Sequence, residues 1–229
     1  MQKQVILLGG GSSVIEGLNK DLWNKIKNTE IWSLNFSYKF MPFLPKKIVW
    51  TDRKVFTDNC KEIQILYHKG VDLECRFNEL YSLYPEVKNY PIEKDRRKYD
   101  SKLDKIFIGT LGLTGYFALS LAVKQQYDKI YLLGYDFGTP SFNDKSTHWY
   151  QGLKQNEGYL PVISNGIANT AVYMDANSAI KSSISDFDFY KEWNDKIVNV
   201  SSRTNIHQFK IISYDEFFNQ LGESQSNGI

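Results

Sequence analysis

The sequence predicts a single α/β domain built as a Rossmann-like, mostly parallel sheet flanked by helices. Three observations predict it. Short apolar runs of strand length recur at 5–8, 31–34, 47–50, 71–75, 106–108, 130–133, 197–200 and 210–212, as expected of strands buried in a sheet. Helical stretches alternate with them, at loop lengths that suit crossovers between parallel neighbours. Two of the strands break into turns rich in Gly, Ser and Thr that run directly into a helix, and such turns face ligands in open parallel sheets.

The first run ends in Gly9-Gly10-Gly11-Ser12-Ser13 and passes into a helical stretch over 14–27. Ser13 and Glu16 have capping-box spacing, which predicts free backbone N–H groups and the positive end of a helix dipole over Gly10 to Ser13. A phosphate is stabilised at such a place. Close packing of strand on helix explains a single glycine-rich turn equally well. A second helix covers part of 56–67, and 76–104, rich in Tyr and charge with Pro85 and Pro91, reads as a surface excursion. The strand at 106–108 opens into Gly109-Thr110-Leu111-Gly112-Leu113-Thr114-Gly115 and a helix over 115–126. The next strand ends in Gly134-Tyr135-Asp136-Phe137. Residues 138–185 form a long insertion, with a helical segment at roughly 166–182, of the kind that serves as a lid or acceptor-binding subdomain. Its Trp149, Tyr150 and Tyr159 read as exposed rings that stack a sugar or base, or pack the lid. Helices follow over 188–194 and 214–221, the last opened by Ser213 and Glu216 at capping-box spacing, and 222–229 reads as a disordered tail.

At 229 residues and 42% hydrophobic content the chain supports one sizeable core and not two comfortable domains. A net charge of +2, from 28 basic and 26 acidic residues, gives no general drive towards nucleic acid or anionic membrane. Its basic run Glu93-Lys94-Asp95-Arg96-Arg97-Lys98 is interrupted by acids and reads as a solvated loop. No apolar stretch approaches the roughly 20 residues of a membrane span, and no signal-peptide pattern precedes the first strand, so a cytoplasmic protein is expected. Cys60 and Cys75 match neither a redox pair nor a zinc site, and His68, His148 and His207 occur singly, without metal-ligand spacing. Oligomeric state is left open, a homo-oligomer included.

Two nucleotide chemistries are disfavoured. Gly9-x-Gly11-x-x-Val14 lacks the third glycine of the dinucleotide fingerprint, and the second strand ends in Leu34-Asn35 where a ribose-binding acid belongs. No Gly-x-x-x-x-Gly-Lys-Ser/Thr run exists for a P-loop. What remains at strand ends is Asn35, Thr51, Asp52, Thr110, Thr114 and Asp136. Singly, such residues more often form turns or caps. As a set at the carboxyl ends of one sheet they read as a nucleotide site.

These residues carry a resemblance. Leu7 through Ser13, Leu34-Asn35, Trp50-Thr51-Asp52, Leu113-Thr114-Gly115-Tyr116 and Ile130 through Phe137 resemble a family of Rossmann-like transferases. It includes bacterial sialyltransferases that use CMP-sialic acid, flagellin-glycosylation accessory factors and archaeal hydroxymethylpterin pyrophosphokinases. The likeness covers about residues 4–137 well and the carboxyl third weakly, where Ile197-Val198-Asn199-Val200-Ser201-Ser202 resembles the family's last strand and loop. It implies a donor nucleotide held by Gly9, Gly10, Gly11, Ser12 and Ser13, by Asn35, and by Thr114 with Gly115, with Thr51, Asp52 and Thr110 alongside. It also implies a nucleotide-sugar donor, a CMP-sugar favoured, with His148 as general base and Asp136 beside it in the catalytic set. The sialyltransferases place that histidine just before the last helix, whereas here 183–188 read Ser-Ile-Ser-Asp-Phe-Asp and His148 lies far upstream. Two alternatives stay open: a Mg²⁺-dependent pyrophosphokinase acting on a pterin-like alcohol with Asp52 and Asp136 on the metal, and a non-catalytic protein that sequesters a nucleotide. The acceptor is not specified.

Overall fold

The structure is a computed structural model that describes residues 2–76, 87–90, 92–93, 106–107, 113–137, 149–150 and 184–226. Strands β1 (Gln4–Leu8), β2 (Ile31–Leu34), β3 (Lys47–Trp50), β4 (Asp72–Cys75) and β5 (Val87–Asn89) belong to one sheet with β8 (Lys129–Leu133), β9 (Ile197–Val200) and β10 (Lys210–Ile212). Its order is β10-β9-β8-β1-β2-β3-β4-β5, and every neighbouring pair is parallel. The remaining strands β6 (Ile92–Glu93) and β7 (Ile106–Phe107) form a separate parallel pair. From β1 the chain builds outward through β2 to β5 on one side and resumes with β8, β9 and β10 on the other. The order therefore reverses between β1 and β8, and a doubly wound sheet opens its ligand crevice beyond the carboxyl ends at such a switch point.

The twofold period of a strand divides the core. Ile6 and Leu8 of β1, Ile48 and Trp50 of β3 and Tyr131 and Leu133 of β8 face one layer. Val5, Leu7, Val49, Ile130 and Leu132 face the other. Helices α1 (Val14–Leu18), α2 (Leu22–Ile26), α3 (Arg53–Thr57), α4 (Cys60–His68) and α6 (Tyr214–Ser226) contribute to the first layer. Helix α5 (Thr114–Lys124) and a 3₁₀ helix over Ile184–Trp193 form the second. Nine of the eleven residues of α5 are buried, so it is apolar on nearly every side, as a helix enclosed on all faces must be.

Charge is also buried in this second layer. Lys47 Nζ lies 2.7 Å from Glu74 Oε1, with both side chains almost completely enclosed. It sits 3.1 Å from Gln125 Oε1 and 4.6 Å from the centre of the Trp32 ring.

Several elements differ from expectation. The stretch 14–27 is two short helices, because Asn19-Lys20-Asp21 turns between them with Asp21 at φ +63° and its carboxylate accepting from Asn24 Nδ2 at 2.8 Å. The stretch 56–67 likewise divides into α3 and α4 at Asp58-Asn59, where Asn59 Nδ2 donates back to Val55 O at 2.8 Å. The helix expected at 188–194 is the 3₁₀ helix Ile184–Trp193, and β5 lies inside the expected surface excursion. Residues 222–226, expected to be disordered, continue α6, since nothing beyond the single Gly222 opposes propagation. The helix expected at 166–182, and the insertion apart from 149–150 and 184–185, lie outside the described residues. Among the described residues no helix is long and apolar enough to cross a membrane.

Candidate functional site

The switch point is where the turn after β1 meets the turn after β8. Gly9 N donates to Leu133 O at 2.8 Å and Gly11 N to Gly134 O at 2.9 Å, which draws the two turns together. The approach leaves no room for a side chain at position 11, where a Cβ would fall 2.6 Å from Asp136 Cγ. Gly134 takes φ +69°, a left-handed conformation natural to glycine.

Asp136, 5% exposed, reaches across this junction. Its Oδ2 accepts from Ser13 N at 2.8 Å and from Ser12 Oγ at 3.4 Å. Its Oδ1 accepts from Ser201 Oγ, beyond β9, at 3.3 Å and from the Ser13 hydroxyl. Burial pushes the Asp136 carboxyl above the ordinary aspartate range, while the hydrogen bonds from Ser13, Ser201 and Ser12 pull the other way. The expectation of free N–H groups over Gly10 to Ser13 thus fails at Gly11 and Ser13, which donate within the protein. The Ser13–Glu16 capping box fails too: Ser13 makes no side-chain cap to α1, and Glu16 accepts from Ser202 Oγ at 2.8 Å instead.

Trp149 closes the same turn. Its backbone N donates to Gly10 O at 2.9 Å and its indole Nε1 to Gly9 O at 2.9 Å. Tyr150 stacks on Phe40 at 5.0 Å between ring centres, and Trp23 lies 5.7 Å from Trp149. The two rings expected to be exposed are each 3% exposed, because the Trp149 N–H groups are committed to the glycine turn and both rings pack in the aromatic cluster around it. Tyr159 lies outside the described residues.

Further along the carboxyl edge, beyond β2 and β3, three of the expected residues meet. Thr114, the first residue of α5, donates its hydroxyl to Asn35 Oδ1 at 2.9 Å. It lies 2.8 Å from Thr51 Oγ1 and accepts from Thr51 N at 3.2 Å. Asn35 follows β2 with φ +52°, a left-handed conformation that asparagine tolerates better than most residues, and its N–H extends the ladder to Val49 O at 3.0 Å. The N-cap residue Leu113 makes no side-chain cap to α5, whose amino end carries the positive pole of an 11-residue helix. Tyr135 OH donates to Gly115 O at 3.1 Å and fixes that end. Arg76, which the sequence did not single out, donates from Nε to Thr51 O at 3.1 Å and brings a positive charge to the cluster.

Asp52 acts within its own turn, where Oδ1 accepts from Lys54 N at 2.9 Å and caps α3. Its partners are distinct from those of Asp136, and among the described residues no three or more His, Cys, Asp or Glu side chains are grouped to hold a metal ion. Asp136, spent on serines, does not fit the role of partner to Asp52 on Mg²⁺. Thr110 and His148 lie outside the described residues. Two shallow clefts of about 260 and 240 Å³, one beside Lys46 and Val71 and one beside Asp128 and Lys196, open at the opposite, amino edge of the sheet.

Fold and site together define a doubly wound, Rossmann-like α/β protein with a polar cluster at the carboxyl ends of β2 and β3. No family model matches the chain, and no curated protein or solved structure matches it significantly.

Proposed function

We propose that the protein is a nucleotide-dependent transferase, a glycosyltransferase taking a nucleotide-sugar donor, with a CMP-sugar first among the candidates. The observation that carries the reading is the convergence of Asn35 and Thr51 on the Thr114 hydroxyl, at 2.8–3.2 Å, from three elements at the carboxyl edge. An amide and two hydroxyls supply the mixed donors and acceptors that ribose hydroxyls and a base edge require. The amino end of α5 and the Arg76 guanidinium suit the negative charge of the adjoining phosphate. Trp149, the chain neighbour of His148, is anchored on the turn after β1, which supports His148 as the base. In the reaction His148 takes the proton of an acceptor hydroxyl, the acceptor oxygen attacks the anomeric carbon, and the bond to the nucleotide's phosphate breaks. Positioning and stabilisation of the leaving phosphate supply the rest of the rate.

A thermal-shift screen of CMP-, UDP- and GDP-sugars, ATP and free nucleotides, each with and without Mg²⁺ and followed by mass analysis of the ligand, tests the reading. At a hundredfold excess over Kd, linkage gives about 2.7 kcal/mol, or a rise of about 5–10 °C for a chain of this size. A metal-independent shift with a nucleotide sugar that is then consumed is the expected result. A ligand recovered unchanged from wild type supplied with acceptor alcohols favours a sequestering protein, and no shift with any nucleotide sinks the reading. His148→Ala is expected to abolish turnover and keep the shift.

A further inference from the structure

The turn after β1 presents a backbone N–H and small hydroxyls in the arrangement with which proteins hold a phosphate or carboxylate. In this chain those donors already surround an anion. Asp136 receives Ser13 N at 2.8 Å, Ser12 Oγ at 3.4 Å, Ser201 Oγ at 3.3 Å and the Ser13 hydroxyl, two donors to each oxygen. One of these partners, Ser13 N, is an obligate donor, and the three serine hydroxyls are placed to donate to a carboxylate that has four acceptor sites. What favours the charged form of Asp136 is this set of hydrogen bonds from Ser13, Ser201 and Ser12, acting against burial.

We infer that Asp136 is the built-in anion of this cradle, a positioning residue whose carboxylate stands where a bound oxyanion would and ties together the loops after β1, β8 and β9. Asn205 N, donating to Asp136 O at 2.9 Å, secures the third loop at the same point. The cradle is closed to an outside phosphate while Asp136 is in place. A nucleotide's phosphate is therefore left to the neighbouring Arg76 and α5 side, a consequence that rests on the nucleotide reading.

The test is chemical rescue with formate, which supplies a free carboxylate of the missing size. Asp136→Ala, wild type and Asp136→Asn are melted across a formate titration, with chloride at equal ionic strength as reference. Asp136→Ala is expected to melt well below wild type and to recover saturably with formate, while wild type and Asp136→Asn gain nothing beyond the chloride reference. An Asp136→Ala protein as stable as wild type, or one indifferent to formate, overturns the inference. Should Asp136→Ala not fold even in formate, Ser13→Ala decides: loss of one donor to a buried carboxylate lowers Tm by about 3–12 °C, and an unaltered Tm overturns the inference. None of these readouts involves a nucleotide, so failure of the nucleotide screen and failure of the built-in anion are separate results.

Discussion

A methyl group at position 11 would test the switch-point junction severely. On Gly11→Ala the new carbon falls 2.6 Å from Asp136 Cγ, 2.7 Å from Asp136 Oδ2 and 2.7 Å from Gly134 O. Neither neighbour can give way cheaply. Gly134 O is held by Gly11 N at 2.9 Å, and the Asp136 carboxylate by its serine donors. Overpacking of this kind costs about 1–3 kcal/mol, and displacing Asp136 forfeits a hydrogen bond to a charged group, about 1.5–3 kcal/mol. Together these lower Tm by about 10 °C at roughly 2–4 °C per kcal/mol. Circular dichroism melts measure it, with Gly222→Ala as the control, since a Cβ there meets nothing within 4 Å and the site is helical and exposed. The control gains about 0.5–1 kcal/mol. A Gly11→Ala protein melting with wild type would refute the close approach of the two turns.

Lys47→Ala leaves Glu74 charged and enclosed, because the pair is separated by 2.7 Å and nearly inaccessible; a loss of about 3–5 kcal/mol is expected in urea unfolding. Asp52→Ala removes the cap on α3 and costs about 1 kcal/mol in the same assay, with the rest of the fold intact. Asp136 carries a pH signature. Its folded pKa is raised, so its contribution is fully present below the unfolded value near 3.8 and is lost as pH rises through the folded value. The Tm difference between wild type and Asp136→Asn should therefore fall as pH rises from below 3.8 and then level off; a difference that grows over that range shows that the serine hydrogen bonds outweigh burial at this carboxyl.

Much of the sheet was legible because buried parallel strands are written as contiguous apolar runs. The strands at 31–34, 47–50, 197–200 and 210–212 have the expected bounds. Strand β5 was not legible, since Val87-Lys88-Asn89 at the sheet's edge needs no apolar run. The breaks within 14–27 and 56–67 depend on Asp21 and Asn59 side chains bonding to their own backbone or to a local neighbour, which competes with helix in a way periodicity does not reveal. At the site, Asn35, Thr51 and Thr114 were visible as polar residues closing apolar runs. The partners that give the site its character were not. Arg76 lies 25 residues from Thr51, and Trp149 lies 140 from Gly9, so each contact exists only once the sheet has assembled. The serine cluster on Asp136 shows the same gap: each residue stood at an expected loop, and only the fold reveals that they bind one another.

The most direct test is a crystal structure of the protein soaked with the nucleotide that most raises its Tm. Nucleotide density against Asn35, Thr51 and the Thr114–Gly115 end of α5, with Asp136 still bound by Ser13, is the predicted result. Phosphate density over Gly10 to Ser13 with Asp136 displaced, or no ligand at the carboxyl edge, would contradict the account.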